Sequence, residues 1–160
     1  MALARINWPR SDPHLFFFLT RSLDFWNHIP WLYASNPELD RSTYIVCFRH
    51  VLERCDPNII GGFGRTALQE VAAMGDHVTD EEAAAFAVSL LDAGARTDVR
   101  DNILNSTPLG WACRWGRFAV AKTLVNRGAD PVEAENEPWA RPKAWAEKSK
   151  RADIAALLAC

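Results

Sequence analysis

The chain alternates between short segments of helical hydrophobic period and small clusters of glycine, proline and polar residues. In residues 118–126, FAVAKTLVN, the apolar positions recur three and four apart, which gives a helix one apolar face. The RGADP run at 127–131 closes it. The same pattern predicts helices over 42–53, closed by RCDP at 54–57, over 83–92, closed by AGA at 93–95, and over 154–158. Near the start, SDP at 11–13 reads as a helix start. Residues 15–27 then read as an apolar helix carrying Phe16, Phe17, Phe18, Phe25 and Trp26.

Each of the four later helices is preceded by another short one, and these first helices align with one another. The segments are TALQEVAAMG at 66–75, TPLGWACRWG at 107–116, RPKAWAEKSK at 141–150 and, more weakly, IPWLYA at 29–34. Their starts are 37, 41 and 34 residues apart. The residue types suit such a unit. Thr107 can cap a helix, and Pro108 fits its first position, where an amide donor has no partner to lose. Ala112 and Cys113 are small enough for helices to approach closely. Gly116 and Gly128 stand where a helix must stop with a positive φ. Leu124 and Val125 supply an apolar stripe that one unit alone cannot bury, so the units must stack. Residues 76–82 are an insertion. Thr79 and Glu82 have capping-box spacing, which would start the second helix early, but the expectation adopted is a surface loop ahead of residue 83.

The copies resemble the ankyrin repeat, whose period is ~33 residues and whose first helix opens T-P-L-H-x-A. Thr107, Pro108, Leu109, Ala112 and Gly116, then Gly128, Ala129 and Asp130, carry the resemblance over one full unit, and it extends over about residues 29–158. The histidine of the pattern is Gln69, Gly110 and Ala144 in successive copies, and the turn glycine is Lys150 in the last. The resemblance implies an all-α ankyrin-repeat solenoid of stacked helix–turn–helix units joined by short β-hairpin fingers. About four repeats and an N-terminal capping helix are expected. The expected organisation is one domain over 1–160. It comprises a helical cap (1–28), a degenerate repeat (29–58), a repeat with the insertion (59–98), the best-matching repeat (99–132) and a C-terminal capping repeat (133–160). An alternative has Met1 as a cut in a chain that continues upstream.

Composition adds exclusions. With 49% hydrophobic and 24% charged residues the chain can build a core, and its net charge of −2 gives no general attraction to nucleic acid or anionic membrane. Of 18 basic residues 14 are arginine, which suits interfaces but also fits a genome bias. The apolar run at 15–19 is far short of the ~20 residues that span a bilayer, and no cleavage site follows it. Four cysteines without a CxxC suggest a reduced, cytoplasmic protein.

The residue types that could carry chemistry fit structural roles. His14, His28, His50 and His77 form no HExxH pair, and no G-x-S-x-G is present. Cys47, His50 and Cys55 could meet at a metal only if the helix ended sharply near Arg54, so packing is the preferred role. The GGFG run at 61–64 falls at a finger rather than between a strand and a helix, so it is not read as a phosphate loop. Asp80, Glu81 and Glu82 suit a helix start. No cofactor, no metal and no catalysis are expected.

The expected function is protein–protein binding by a monomer through the groove and fingers, with neither nucleic acid nor membrane as partner. Trp31, Trp111 and Trp145 are read as filling core or groove space. The resemblance places Arg114 and Trp115 on the concave groove and Met74 in the slot equivalent to Trp115. The fingers offer Phe63 and Arg65, then Asn102, Ile103 and Asn105, then Asn136, Glu137 and Trp139. Exposed together, Phe63, Met74, Ile103, Trp115 and Trp139 would form an apolar stripe that marks a partner site. Two other readings stay open: a structural or regulatory domain of a longer chain, and a metal protein or enzyme using Cys47, His50 and Cys55 or His77.

Overall fold

A cap, a turn residue and an apolar stripe recur along the chain, and each recurrence produces a pair of short helices. The computed structural model describes residues 41–53, 56–74 and 78–159. The expected N-terminal cap, the first helix at 29–34 and the side chains of Cys47, His50, Cys55 and His77 lie outside the described residues. Seven α-helices are found within them: α1 (Arg41–Leu52), α2 (Ala67–Ala72), α3 (Asp80–Asp92), α4 (Pro108–Trp115), α5 (Phe118–Asn126), α6 (Pro142–Lys148) and α7 (Ala152–Leu157).

Helices α2 and α3, α4 and α5, and α6 and α7 pack as pairs. Between pairs, α2 lies on α4 and α4 on α6, while α1 lies on α3, α3 on α5 and α5 on α7. First helices thus form one row and second helices another. The apolar stripes close between the rows, burying Leu68, Val71, Phe86, Leu90, Leu109, Val120, Leu124 and Ile154. Phe48 of α1 joins this core edge-on to Phe86, with ring centroids 5.1 Å apart.

Local chemistry explains the boundaries. The Thr107 hydroxyl accepts from the Gly110 amide at 3.3 Å, and Pro108 opens α4. Gly116 ends it with φ 69°, and the Arg117 amide reaches the Ala112 carbonyl at 2.9 Å. Gly128 repeats the device with φ 86° and a bond from the Ala129 amide to the Leu124 carbonyl at 3.0 Å. Lys150 makes the same left-handed turn without glycine, at φ 56°, and the Arg151 amide closes on the Ala146 carbonyl at 3.0 Å.

Two expectations are corrected. Helix α3 starts at Asp80 rather than at residue 83, because the capping box forms. The Thr79 hydroxyl accepts from the Glu82 amide at 3.2 Å, and the Glu82 carboxylate accepts from the Thr79 amide at 2.9 Å. The fingers are turns, not β-hairpins, since the described residues contain no strand. A side chain organises the second finger in place of a ladder. One oxygen of buried Asp101 accepts from the Ile103 and Leu104 amides, both at 2.7 Å. The other accepts from the Ser106 amide at 3.0 Å and the Trp111 indole at 2.8 Å.

Candidate functional site

The first helices and fingers are tied into one face by side chains that reach from unit to unit. Gln69, at the register of the ankyrin-pattern histidine, accepts from the Thr66 amide at 2.7 Å. Its amide group donates to the carbonyls of Val99 at 3.1 Å and Ser106 at 2.9 Å, at the base of the next finger. Gly110 occupies that register in the following unit and has no side chain to do this. Trp145 of α6 fills the space, donating to the Ser106 hydroxyl at 2.8 Å. A Cβ on Gly110 would lie 3.5 Å from the indole and 3.1 Å from Ser106.

Adjacent fingers are joined as well. The Asn102 amide donates to the Phe63 carbonyl at 2.8 Å. The Asn105 side chain donates to Asn136 at 3.0 Å, and Asn136 donates back to the Asn105 carbonyl at 3.1 Å and to Glu133 at 2.9 Å. Burial pushes the Glu133 carboxyl up, although hydrogen bonds from Thr107 and Asn136 pull the other way. Burial would also raise Asp101, yet the donors from Leu104, Trp111, Ser106 and Ile103 together hold its carboxyl below the ordinary value.

Four members of the expected apolar stripe are exposed: Phe63 at 64%, Ile103 at 52%, Trp115 at 55% and Trp139 at 54%. Met74 is not; it is 4% exposed and belongs to the core. The Arg117 guanidinium donates to the carbonyls of Met74 and Val78, both of which are buried in the core. Asn136 is likewise buried, its amide consumed in joining two fingers. Asn102 and Asn105 are exposed.

The remaining candidates fall into two clusters. In one, the Arg65 guanidinium carbon stands 5.8 Å from the Phe63 ring and 5.4 Å from Trp111, and Arg65 pairs with Glu70 at 2.9 Å. Burial raises the Glu70 carboxyl, and Arg65 offsets part of that. The other cluster is built on Trp145. Trp139 meets it edge-on at 6.4 Å, the Arg114 guanidinium lies over it at 4.7 Å, and the Lys148 ammonium lies over it at 5.1 Å. Arg114 also stands 6.0 Å from Trp115. Arg114, Trp115, Trp145, Lys148 and Ser149 line an open cleft of ≈ 250 Å³.

Trp145, expected only to fill core or groove space, and Lys148, which the sequence did not single out, both line this cleft. A signal was available: WACR at 111–114 recurs as WAEK at 145–148, putting an indole and a cation three apart on one helix face in consecutive units. Among the described residues no group of His, Cys, Asp and Glu is placed to hold a metal. Burial pushes the Cys113 thiol up to about 12, which disfavours the thiolate in the fold. No helix of the described residues is long and apolar enough to cross a membrane.

A family model of ankyrin repeats matches residues 38–134, in three copies. No curated protein matches the chain.

Proposed function

The chain belongs to the ankyrin-repeat family, and we propose that it is a non-catalytic module that holds a protein partner on its groove and finger face. Ankyrin repeats are generally protein–protein interaction modules and typically do not catalyse. The observation that carries the reading is the exposure of four large apolar side chains on one row of helices and fingers. One of them, Trp115, lines a cleft together with the buried Trp145, and another, Trp139, meets Trp145 edge-on. Rigid aromatic groups beside arginine are typical interface anchors. The fold assigned to this function is a solenoid of four units, the first and last degenerate, within one domain over 1–160. In this reading the chain acts as a monomer without cofactor.

Affinity capture with the wild-type chain against Trp115→Ala, Phe63→Ala and the double variant tests this. Each truncation should leave the thermal transition in place, since both side chains are exposed, and should weaken retention of the same partner. The double variant should lose ~2 kcal/mol or more of binding, about a thirtyfold change. Retention equal to wild type would remove the partner from this face.

A further inference from the structure

The charges around Trp145 specify what the partner must bring. Arg114 differs from the other arginines whose side chains are described. Arg49, Arg117 and Arg141 donate to protein oxygens, and Arg65, Arg96, Arg100, Arg127 and Arg151 pair with carboxylates. Arg114 makes neither contact with any described residue. It is half-buried, and indole faces hold it. A guanidinium so placed is partly stripped of water and has its rigid fork of donors unspent. Lys148, also on Trp145, has no carboxylate partner among the described residues either. No acid lines the cleft, and Glu147, next to Lys148 in sequence, is not part of the lining. Two uncompensated cations thus sit in one ≈ 250 Å³ recess of a chain whose net charge is −2.

We propose that this cleft takes an acidic residue of the partner protein, an Asp or Glu carboxylate on the Arg114 fork and beside Lys148, with a neighbouring apolar side chain on Trp115. A carboxylate matches a guanidinium bidentately, and stacking on Trp145 leaves the edge of the fork free to receive it. Two cations suit one or two carboxylates. They do not make the continuous basic stripe that tracks a nucleic-acid backbone. The proposal rests on the reading that this face binds a protein and adds the chemistry of the bound segment.

The test is selection of short random peptides displayed on phage against the full immobilised chain, in parallel with Arg114→Glu/Lys148→Glu, Lys148→Glu alone and Trp115→Ala. The wild type should enrich sequences that join Asp or Glu to an apolar residue. A synthetic peptide of the selected sequence, followed by fluorescence anisotropy, should bind the charge-reversed double variant about tenfold more weakly or worse. Its affinity for the wild type should fall as salt rises. Lys148→Glu alone, at an exposed position, keeps the test valid if the Arg114 change harms folding, and it should also weaken binding. Failure to enrich acidic sequences on the wild type overturns the proposal. So does a selected peptide that binds the charge-reversed variants as well as the wild type. Enrichment of uncharged sequences that Trp115→Ala abolishes would overturn the acidic assignment and leave the groove reading intact. Enrichment insensitive to Trp115→Ala as well would remove both.

Discussion

Asp101 shows how much one side chain can determine in a fold of short elements. Each carboxylate oxygen accepts two hydrogen bonds, one from a pair of amides and the other from an amide and the Trp111 indole. Asp101→Asn must turn an NH2 group toward one of those donor pairs, so two buried donors lose their acceptor. Unpaired buried donors cost ~1–3 kcal/mol each, so a loss of about 2–6 kcal/mol is expected at neutral pH. The pH dependence has a definite sign. The folded carboxyl titrates below its ordinary value, so its contribution is complete above the unfolded value near ~4 and fades as pH falls through the folded one. Urea denaturation at a series of pH values should show the gap between wild type and Asp101→Asn closing below about pH 4. A gap independent of pH would mean that the charge does not organise this finger. Gly116 is a second such residue. Its φ of 69° disfavours any side chain, and a Cβ there would collide with the Arg151 guanidinium. Gly116→Val should lower stability by ~1–3 kcal/mol in the same assay. Gly94→Ala, at φ 92° but with open space around it, should cost less.

At the scale of elements, the extra turn of α3 serves its neighbour. Asp80, in that turn, accepts from the Ala119 amide of α5 at 2.7 Å. Helix α5 needs this, because the side chain of its own cap residue, Arg117, has no oxygen to accept from a first-turn amide. Asp80→Ala should therefore destabilise by ~1 kcal/mol, like the loss of a helix's own cap. Its other carboxylate oxygen is buried without a partner and keeps the gain small. A neutral Asp80→Ala in urea denaturation would show that α5 begins without that cap. This contact also marks the limit of what the sequence discloses. Turns at Gly116 and Gly128 and the cap at Thr107 follow from rules that act within one element, and they were legible. The choice at residues 76–82 between loop and helix was not. The capping box alone is a weak signal, and the acceptor for Ala119 comes from a residue 39 positions away. Burial of Met74 was hidden for the same reason: the Arg117 side chain that donates to its carbonyl belongs to the next unit. Exposure of Phe63, Ile103, Trp115 and Trp139 was legible from register. The role of Trp145 depended on the side chain missing at Gly110.

Across the whole molecule, coupling between units is carried by a repeated arginine. Arg117 and Arg151 hold equivalent positions, ten residues after Thr107 and Arg141. Each reaches back to carbonyls at the turn of the preceding pair: Arg117 to Met74 and Val78, Arg151 to Gly116. Hydrogen bonds from a charged group contribute ~1.5–3 kcal/mol, whereas the exposed pair of Arg151 with Asp153 adds little. In a stack where each unit touches only its neighbours, stability is the sum of unit terms and interface terms, and an end unit can open alone. Arg151→Met weakens the last interface only. Hydrogen exchange should then speed up by tenfold or more in α6 and α7, since ~1.4 kcal/mol corresponds to tenfold, while amides of α2 and α3 keep their wild-type rates. Arg117→Met weakens an interior interface, so exchange should accelerate in α4 to α7 together. The cluster on Trp145 lies across the interface that Arg151 secures, with Arg114 on α4 and Trp145 and Lys148 on α6. Loosening that interface should therefore reduce partner binding without touching a contact residue. Equal acceleration of every helix in Arg151→Met would instead mean that the units open as one block, and binding would then track global stability alone.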